Sequence, residues 1–216
     1  MTLPEIERLA APSGLFVMGA FHPPPNARSD GHRTLVLLGA DRLCWPTFKV
    51  ASEYRDGQPD PLDRWSKRVI GALAVQVGAD DIYPSDGPPY APFIDWALNT
   101  GRFFQSPTGM MVHESAGLMI SIRGALAFTT KLDLDSSAAR NPCDTCVEQP
   151  CVSACPVGAL SGSHAYDVPG CKAYLDTMEG QDCMENGCQV RRACPVSIAF
   201  DRAPEQSAFH MTAFKG

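Results

Sequence analysis

The sequence predicts an α+β chain in two parts: an α/β domain over residues 1–132 and a cysteine-rich metal module over 133–216. Three observations predict it. Two apolar runs, "LFVMGAF" (15–21) and "TLVLLGA" (34–40), are bounded by turn residues, as buried strands are. A long amphipathic stretch (60–79) follows them. Eight of the nine cysteines fall after residue 142, so cysteine chemistry belongs to the C-terminal third.

The first element is a helix opened by a T-x-x-E capping box, Thr2 to Glu5, with Pro4 in the first turn. Ile6, Leu9 and Ala10 share a face, and Pro12 and Gly14 end it. The two strands come next, separated by the proline-rich loop "HPPPNARSDGH" (22–32). In the stretch 60–79, Asp60 is the expected cap, Pro61 suits the first turn and Asp63 complements the helix dipole. Leu62, Trp65, Val69, Ala72 and Leu73 form its predicted apolar stripe. "YPSDGPPYAPF" (83–93) is a loop stiffened by four prolines. "IDWALNTG" (94–101) reads as a short helix, and "GLMISIRGALAFTTKL" (117–132) as β-rich with a bulge at Gly124. "DLDSSAARN" (133–141) is the expected boundary. Beyond it, "CKAYLDTME" (171–179) and the tail "PEQSAFHMTAFK" (204–215) are candidate helices. The tail sets Phe209 and Ala213 on one face.

Composition excludes several function classes. Hydrophobic residues make up 44% and charged residues 19%, enough apolar material for a core and too little charge for a disordered chain. The net charge of −6 opposes a nucleic-acid footprint, which needs a basic face. No apolar run reaches the ~18 residues of a membrane span. The acidic N-terminal stretch lacks the basic start of a signal peptide. A cytoplasmic protein without membrane or nucleic-acid partners is expected, and an odd cysteine count there argues against a disulfide framework.

The cysteines carry the chemistry. The first run is Cys143-x2-Cys146-x4-Cys151-x3-Cys155-Pro156; the second set is Cys171, Cys183, Cys188 and Cys194-Pro195. A cubane iron–sulfur cluster needs four thiolates from different directions. In two-cluster proteins the last cysteine of one run ligates the other cluster. The spacing therefore predicts Cys143, Cys146, Cys151 and Cys194 on one [4Fe–4S] cluster, and Cys155, Cys171, Cys183 and Cys188 on a second. Eight cysteines then fill two sites with none left over. Zinc, disulfides, or one cluster with unrelated cysteines remain the alternatives. Arg191 and Arg192, between Cys188 and Cys194, either offset cluster charge or form a solvated pair. Cys44 reads as a small buried hydrophobe.

These residues, together with "CKAYL", the "GCQ" at Cys188–Gln189 and "HESAGLMISIRGALAF" (113–128), resemble the cluster-bearing part of epoxyqueuosine reductases. Those are corrinoid-dependent enzymes with two [4Fe–4S] clusters, and this chain is shorter than they are. The similarity covers mainly residues 117–196. It implies a nitroreductase-like, cobalamin-processing-like α/β domain ahead of a ferredoxin-like double-cluster module. The Asp-Tyr-His context of the family's catalytic aspartate does not occur here. Asp86 is only loosely comparable, and no catalytic residue is assigned.

Outside the clusters, Pro89, Tyr90 and Phe93 are the candidate rigid wall for a flat ligand. Arg123, in an apolar strand, needs an anion or a carboxylate if it faces inward. His113 and Glu114 carry no assigned acid–base role. The expected function is electron transfer to a redox partner protein or a small-molecule substrate. The alternatives are a corrinoid- or flavin-dependent reductase and a non-redox, metal-stabilised interaction module.

Overall fold

The computed structural model describes residues 1–24, 31–134 and 139–216. The expected loop at 22–32 and boundary at 133–141 fall partly outside them. Helices and small antiparallel sheets mix throughout, and the chain forms two compact units. The first comprises Met1–Arg102 and Ser121–Ala138, the second Phe103–Ile120 and Ala139–Gly216. This corrects the single cut expected after residue 132. Residues 103–120 belong with the cysteines because Val112 and Leu118 join one apolar cluster with Cys151, Leu160, Val190 and Cys194.

The first unit opens with α1 (Leu3–Ala10). Its capping box forms: Thr2 Oγ1 accepts from the Glu5 N–H at 3.4 Å, and the Glu5 carboxylate accepts from the Thr2 N–H at 2.7 Å. Strands β1 (Leu15–Phe21) and β2 (Thr34–Ala40) follow, then α2 (Cys44–Lys49), α3 (Ser52–Arg55) and α4 (Pro61–Val77). A short strand β3 (Asp80–Ile82), helix α5 (Phe93–Asn99) and strand β6 (Ile122–Phe128) complete it. The sheet runs β1-β2-β6-β3, antiparallel throughout. Strand β2 lies between two partners, and every one of its residues is buried. That is why it reads as an unbroken apolar run rather than an alternating one.

Two expectations for α4 are corrected. Asp60 adopts a left-handed conformation (φ 50°, ψ 48°) and makes no side-chain cap. The buried face is Leu62, Trp65, Ser66, Ile70, Leu73 and Ala74; Ala72 is exposed and Val69 only partly covered. The face follows the 3.6-residue period to Ile70 and Ala74, which pure apolarity did not separate from Val69 and Ala72. Trp45, Phe48, Tyr54 and Trp65 form an aromatic cluster joining α2, α3 and α4, with centroids 5.2–5.9 Å apart. The bulge expected at Gly124 sits one residue earlier. Leu38 pairs with Gly124 and Gly39 with Ile122, so Arg123 is the extra residue. Gly124 admits a close neighbour instead, since a Cβ there would meet Ile70 Cδ1 at 2.9 Å.

The second unit begins with a hairpin, β4 (Phe103–Gln105) and β5 (Met111–His113). Two 3-10 turns, Pro142–Thr145 and Pro150–Val152, precede five helices: α6 (Val168–Leu175), α7 (Gln181–Asn186), α8 (Gln189–Ala193), α9 (Pro195–Phe200) and α10 (Pro204–Lys215). Asp167 caps α6 through the Gly170 N–H at 2.9 Å. Helix α10 packs on α7 and buries Gln206 and Ser207, whereas Ala213 is exposed. The expected Phe209–Ala213 face is therefore not the buried one. Gly117 ties the hairpin to α9. Its φ is +58°, and a Cβ there would meet the Ser197 backbone nitrogen at 2.5 Å. The adjacent Leu118 N–H donates to Ser197 Oγ at 2.8 Å.

Candidate metal centre

Proline and local hydrogen bonds shape the first cysteine run. Pro142 and Pro150 each start a 3-10 turn, where a missing N–H costs nothing. Asn141 Oδ1 accepts the Cys143 N–H at 3.0 Å, and Cys143 O accepts the Cys146 N–H at 3.3 Å. Gln149, at φ 41°, turns the chain before Cys151. At the other end Cys194 is extended between α8 and α9, because Pro195 cannot continue the preceding helix.

Asp182 fastens α7 to α8. Its Oδ1 accepts from Asn186 and its Oδ2 from Gln189, both at 3.0 Å, and Arg192 pairs with it. Arg192 also donates to the Gly187 carbonyl at 2.9 Å. Cys183 and Cys188 are carried on this braced corner. Arg191 donates instead to the Leu118 carbonyl. The arginines are thus bound side chains with different partners, rather than a solvated pair.

The eight downstream cysteines line two cavities. Cys143, Cys146, Cys151 and Cys194 line one of about 390 Å³, walled by Pro107, Val112, Pro150 and Val196. Cys155, Cys171, Cys183 and Cys188 line the other, a tight one of about 20 Å³, walled by Leu160, Leu175, Val190 and Met211. Each cavity therefore draws cysteines from both halves of the sequence motif. Cys194 joins the first run, and Cys155 leaves its own run for the second set.

Electrostatics draws the same partition. Burial, followed by the neighbouring Cys151, Cys194 and Cys146 thiols, pushes Cys143 up to about 11. Cys151 is raised by burial and then by Cys194 and Cys146, against backbone N–H donors that favour its thiolate. Cys171 is raised by burial and by Cys188 and Cys155, against a lowering influence of the Tyr166 hydroxyl. Cys183 is raised by burial and by Cys188, and lowered by the Gln189 N–H and Arg192. Thiols that raise one another when charged are the arrangement a cation core would relieve.

All nine cysteines are free thiols. Among the described residues, no three Cys, His, Asp or Glu side chains gather closely enough to hold a single metal ion. The thiols of each quartet line a cavity instead of meeting at a point. Cys44 is buried at 1% exposure in α2.

The other candidate residues lie in the first unit. Tyr90 is exposed, its ring against Gly87, whereas Phe93 is buried with its ring 4.9 Å from Trp96. One is a surface aromatic and the other a core aromatic. Pro89 lies in the turn before Tyr90, preceded by cis bonds at Gly87-Pro88 and Pro88-Pro89. The Arg123 guanidinium meets Asp63 Oδ1 at 3.3 Å and the Ile122 carbonyl at 3.1 Å. A carboxylate of its own unit thus supplies the anion it needs. His113 is buried against Phe103, and its Nδ1 accepts the Ala116 N–H at 3.2 Å.

Sequence reasoning missed the stacked pair of Tyr166 and Phe214 and the hairpin residues Pro107 and Val112, which wall the larger cavity. Nothing local marks either: Tyr166 stands in a polar loop, and the hairpin precedes the first cysteine by some thirty residues. Among the described residues, no helix is long and apolar enough to cross a membrane. No protein-family model matches the chain, and no curated protein matches it.

Proposed function

We propose that this chain is an iron–sulfur electron-transfer protein. Cys143, Cys146, Cys151 and Cys194 would hold one [4Fe–4S] cluster, and Cys155, Cys171, Cys183 and Cys188 a second. The observation that carries the reading is the pair of all-thiol quartets lining separate cavities, each assembled from both cysteine runs. This arrangement is the one expected of a ferredoxin-like double-cluster module, in which each Cys-Pro ending serves the other site. The likeness of residues 117–196 to the cluster part of epoxyqueuosine reductases points the same way.

The donor set fits iron–sulfur better than zinc. Four thiolates on one zinc, at 2.3 Å each, sit about 3.8 Å from one another. Thiols spread around a cavity of about 390 Å³ suit a larger core. The tight second cavity holds no more than about one water's volume, so its apolar walls would have to move apart for Cys155, Cys171, Cys183 and Cys188 to hold a cluster.

When bound, such clusters supply one-electron storage at potentials set by charge, hydrogen bonding and exposure. The chain's own residues do the rest. Val112, Leu160 and Val190 keep water from the thiols. Asp182 and Arg192 hold the α7–α8 corner in place. The backbone N–H groups of Val152 and Gln189 favour the thiolates of Cys151 and Cys183. The proposal rests on the second unit alone, since Arg123 and Phe93 have partners in their own unit. Electron transfer with a redox partner is the proposed activity.

Anaerobic reconstitution with iron and sulfide tests it. Broad visible absorption that bleaches on reduction and returns on reoxidation is expected. Protein that takes up zinc instead and stays colourless with iron and sulfide would overturn the reading in favour of a non-redox, metal-stabilised module.

A further inference from the structure

The second quartet's cavity, at about 20 Å³, is too small for a cluster, so part of its wall must give way. Most of its apolar walls are fixed. Leu160, Leu175 and Val190 are 5%, 1% and 0% exposed. Leu160 and Val190 also belong to the core around Cys151 and Cys194, and displacing either would disturb the first quartet's close packing. Met211 differs. It is only half-buried, and among the described wall residues it alone comes from α10.

Helix α10 is held firmly at one end and lightly at the other. Just before it, Arg202 donates to the Met119 carbonyl, and in its first turns Gln206 and Ser207 are buried. Ser207 lies so close to Gly187 that a Cβ on the glycine would meet the serine Cβ at 2.5 Å. The last turn is fastened by polar and ring contacts near the surface. Lys215 pairs with Asp176 at 2.6 Å, their side chains 34% and 66% exposed. Lys172 of α6 donates to the Lys215 carbonyl at 3.0 Å and lies 5.5 Å over the Phe214 ring. Phe214 stacks in turn on the exposed Tyr166, centroids 6.2 Å apart. Exposed ion pairs are weak and screened by salt. These fasteners can therefore release without unfolding the rest of the unit.

We propose that α10 is a gate on the second quartet: its last turn releases from α6, carries Met211 off the cavity to admit the cluster, and closes again to seal it. This rests on the function proposed above. Among the described residues lining the first cavity, none comes from α10, so the first quartet loads and empties without the gate.

Iron release from reconstituted, full-length protein to 2,2′-bipyridine tests the gate. The chelator is neutral, so added salt acts on the protein, and EPR follows the two sites separately. Cys155→Ala supplies the rate of the first quartet alone. Asp176→Asn removes the ion pair to Lys215 and leaves the thiols and apolar walls in place. It should speed loss from the second quartet about two- to fivefold, the range of one exposed ion pair, and leave the first quartet unchanged. High salt should move the wild type toward the same rate and change Asp176→Asn little. Met211→Ala shortens the movable wall and should speed both loading and loss at the second quartet alone. In hydrogen exchange, Asp176→Asn should speed the amides of residues 211–215 and not those of Leu175 and Val190. Equal acceleration at both quartets, unchanged rates in both variants, or faster exchange throughout the unit would overturn the proposal. A wild type that takes up no iron and sulfide would overturn the functional reading and the gate together. The iron count distinguishes that failure from a gate that fails with both clusters in place.

Discussion

Cys155 shows at the residue scale how a thiol's position outweighs its sequence neighbours. It closes the run that starts at Cys143, yet it lines the cavity of Cys171, Cys183 and Cys188. Cys155→Ala should therefore leave about four irons per chain instead of about eight, with the first-quartet signal retained. Iron analysis with EPR checks this, and equal loss from both sites would contradict the crossed assignment. Glu53 supplies a second test. Its carboxylate accepts from Arg68 Nε at 2.5 Å and Nη2 at 3.0 Å, and these bonds hold it down to about 2, from an ordinary 4.5. A carboxyl lowered on folding stabilises the folded state above its unfolded pKa. That contribution is lost as the pH falls through the folded pKa. The window here is about pH 4.5 to 2. Because the Arg68 side chain is 57% exposed, the effect is about 1–2 kcal/mol after solvent screening. Denaturation of Glu53→Gln across that window should show a flatter acid dependence than wild type and lower stability at pH 7.

Among elements, the hairpin of β4 and β5 does the least obvious work. It supplies Val112 to the core around Cys151 and Cys194, and its continuation locks on α9 through Gly117 and Ser197. Ser197→Ala would strand the buried Leu118 N–H and cost about 1–3 kcal/mol. Gly117→Ala combines a positive φ with backbone collision and should cost at least as much, about 1–3 kcal/mol or more. Both should lower the thermal midpoint, and Gly117→Ala should also impair metal loading. The two cavities make a kinetic prediction. The first has about 390 Å³ ready, whereas the second, lined by Leu160, Leu175 and Met211, has about 20 Å³ and would have to widen to be filled. With limiting iron and sulfide, the first quartet should fill before the second, followed by EPR during reconstitution. Simultaneous filling would show that the second cavity opens without cost.

Across the whole molecule, what was legible in the sequence is what short-range pattern encodes. Strands β1 and β2 stand out because each apolar run is closed by turn residues, and α1 because its cap lies within four residues. Helix α4 is legible in extent, but its buried face depends on which turn meets the sheet. That is why Ile70 and Ala74 replaced Val69 and Ala72. The membership of residues 103–120 was not legible, since it follows from contacts with residues far along the chain. The same holds for Arg123, whose partner Asp63 is sixty residues away. The cysteine sets were legible as spacings, whereas the stack of Tyr166 on Phe214 was not, because its two rings come from residues far apart in the chain. Eight of the nine thiols are proposed to serve two clusters. Iron, sulfide and zinc counts on anaerobically purified protein, with EPR after reduction, test it most directly. About eight irons and eight sulfides per chain are expected, with two one-electron centres. Stoichiometric zinc without sulfide would contradict it.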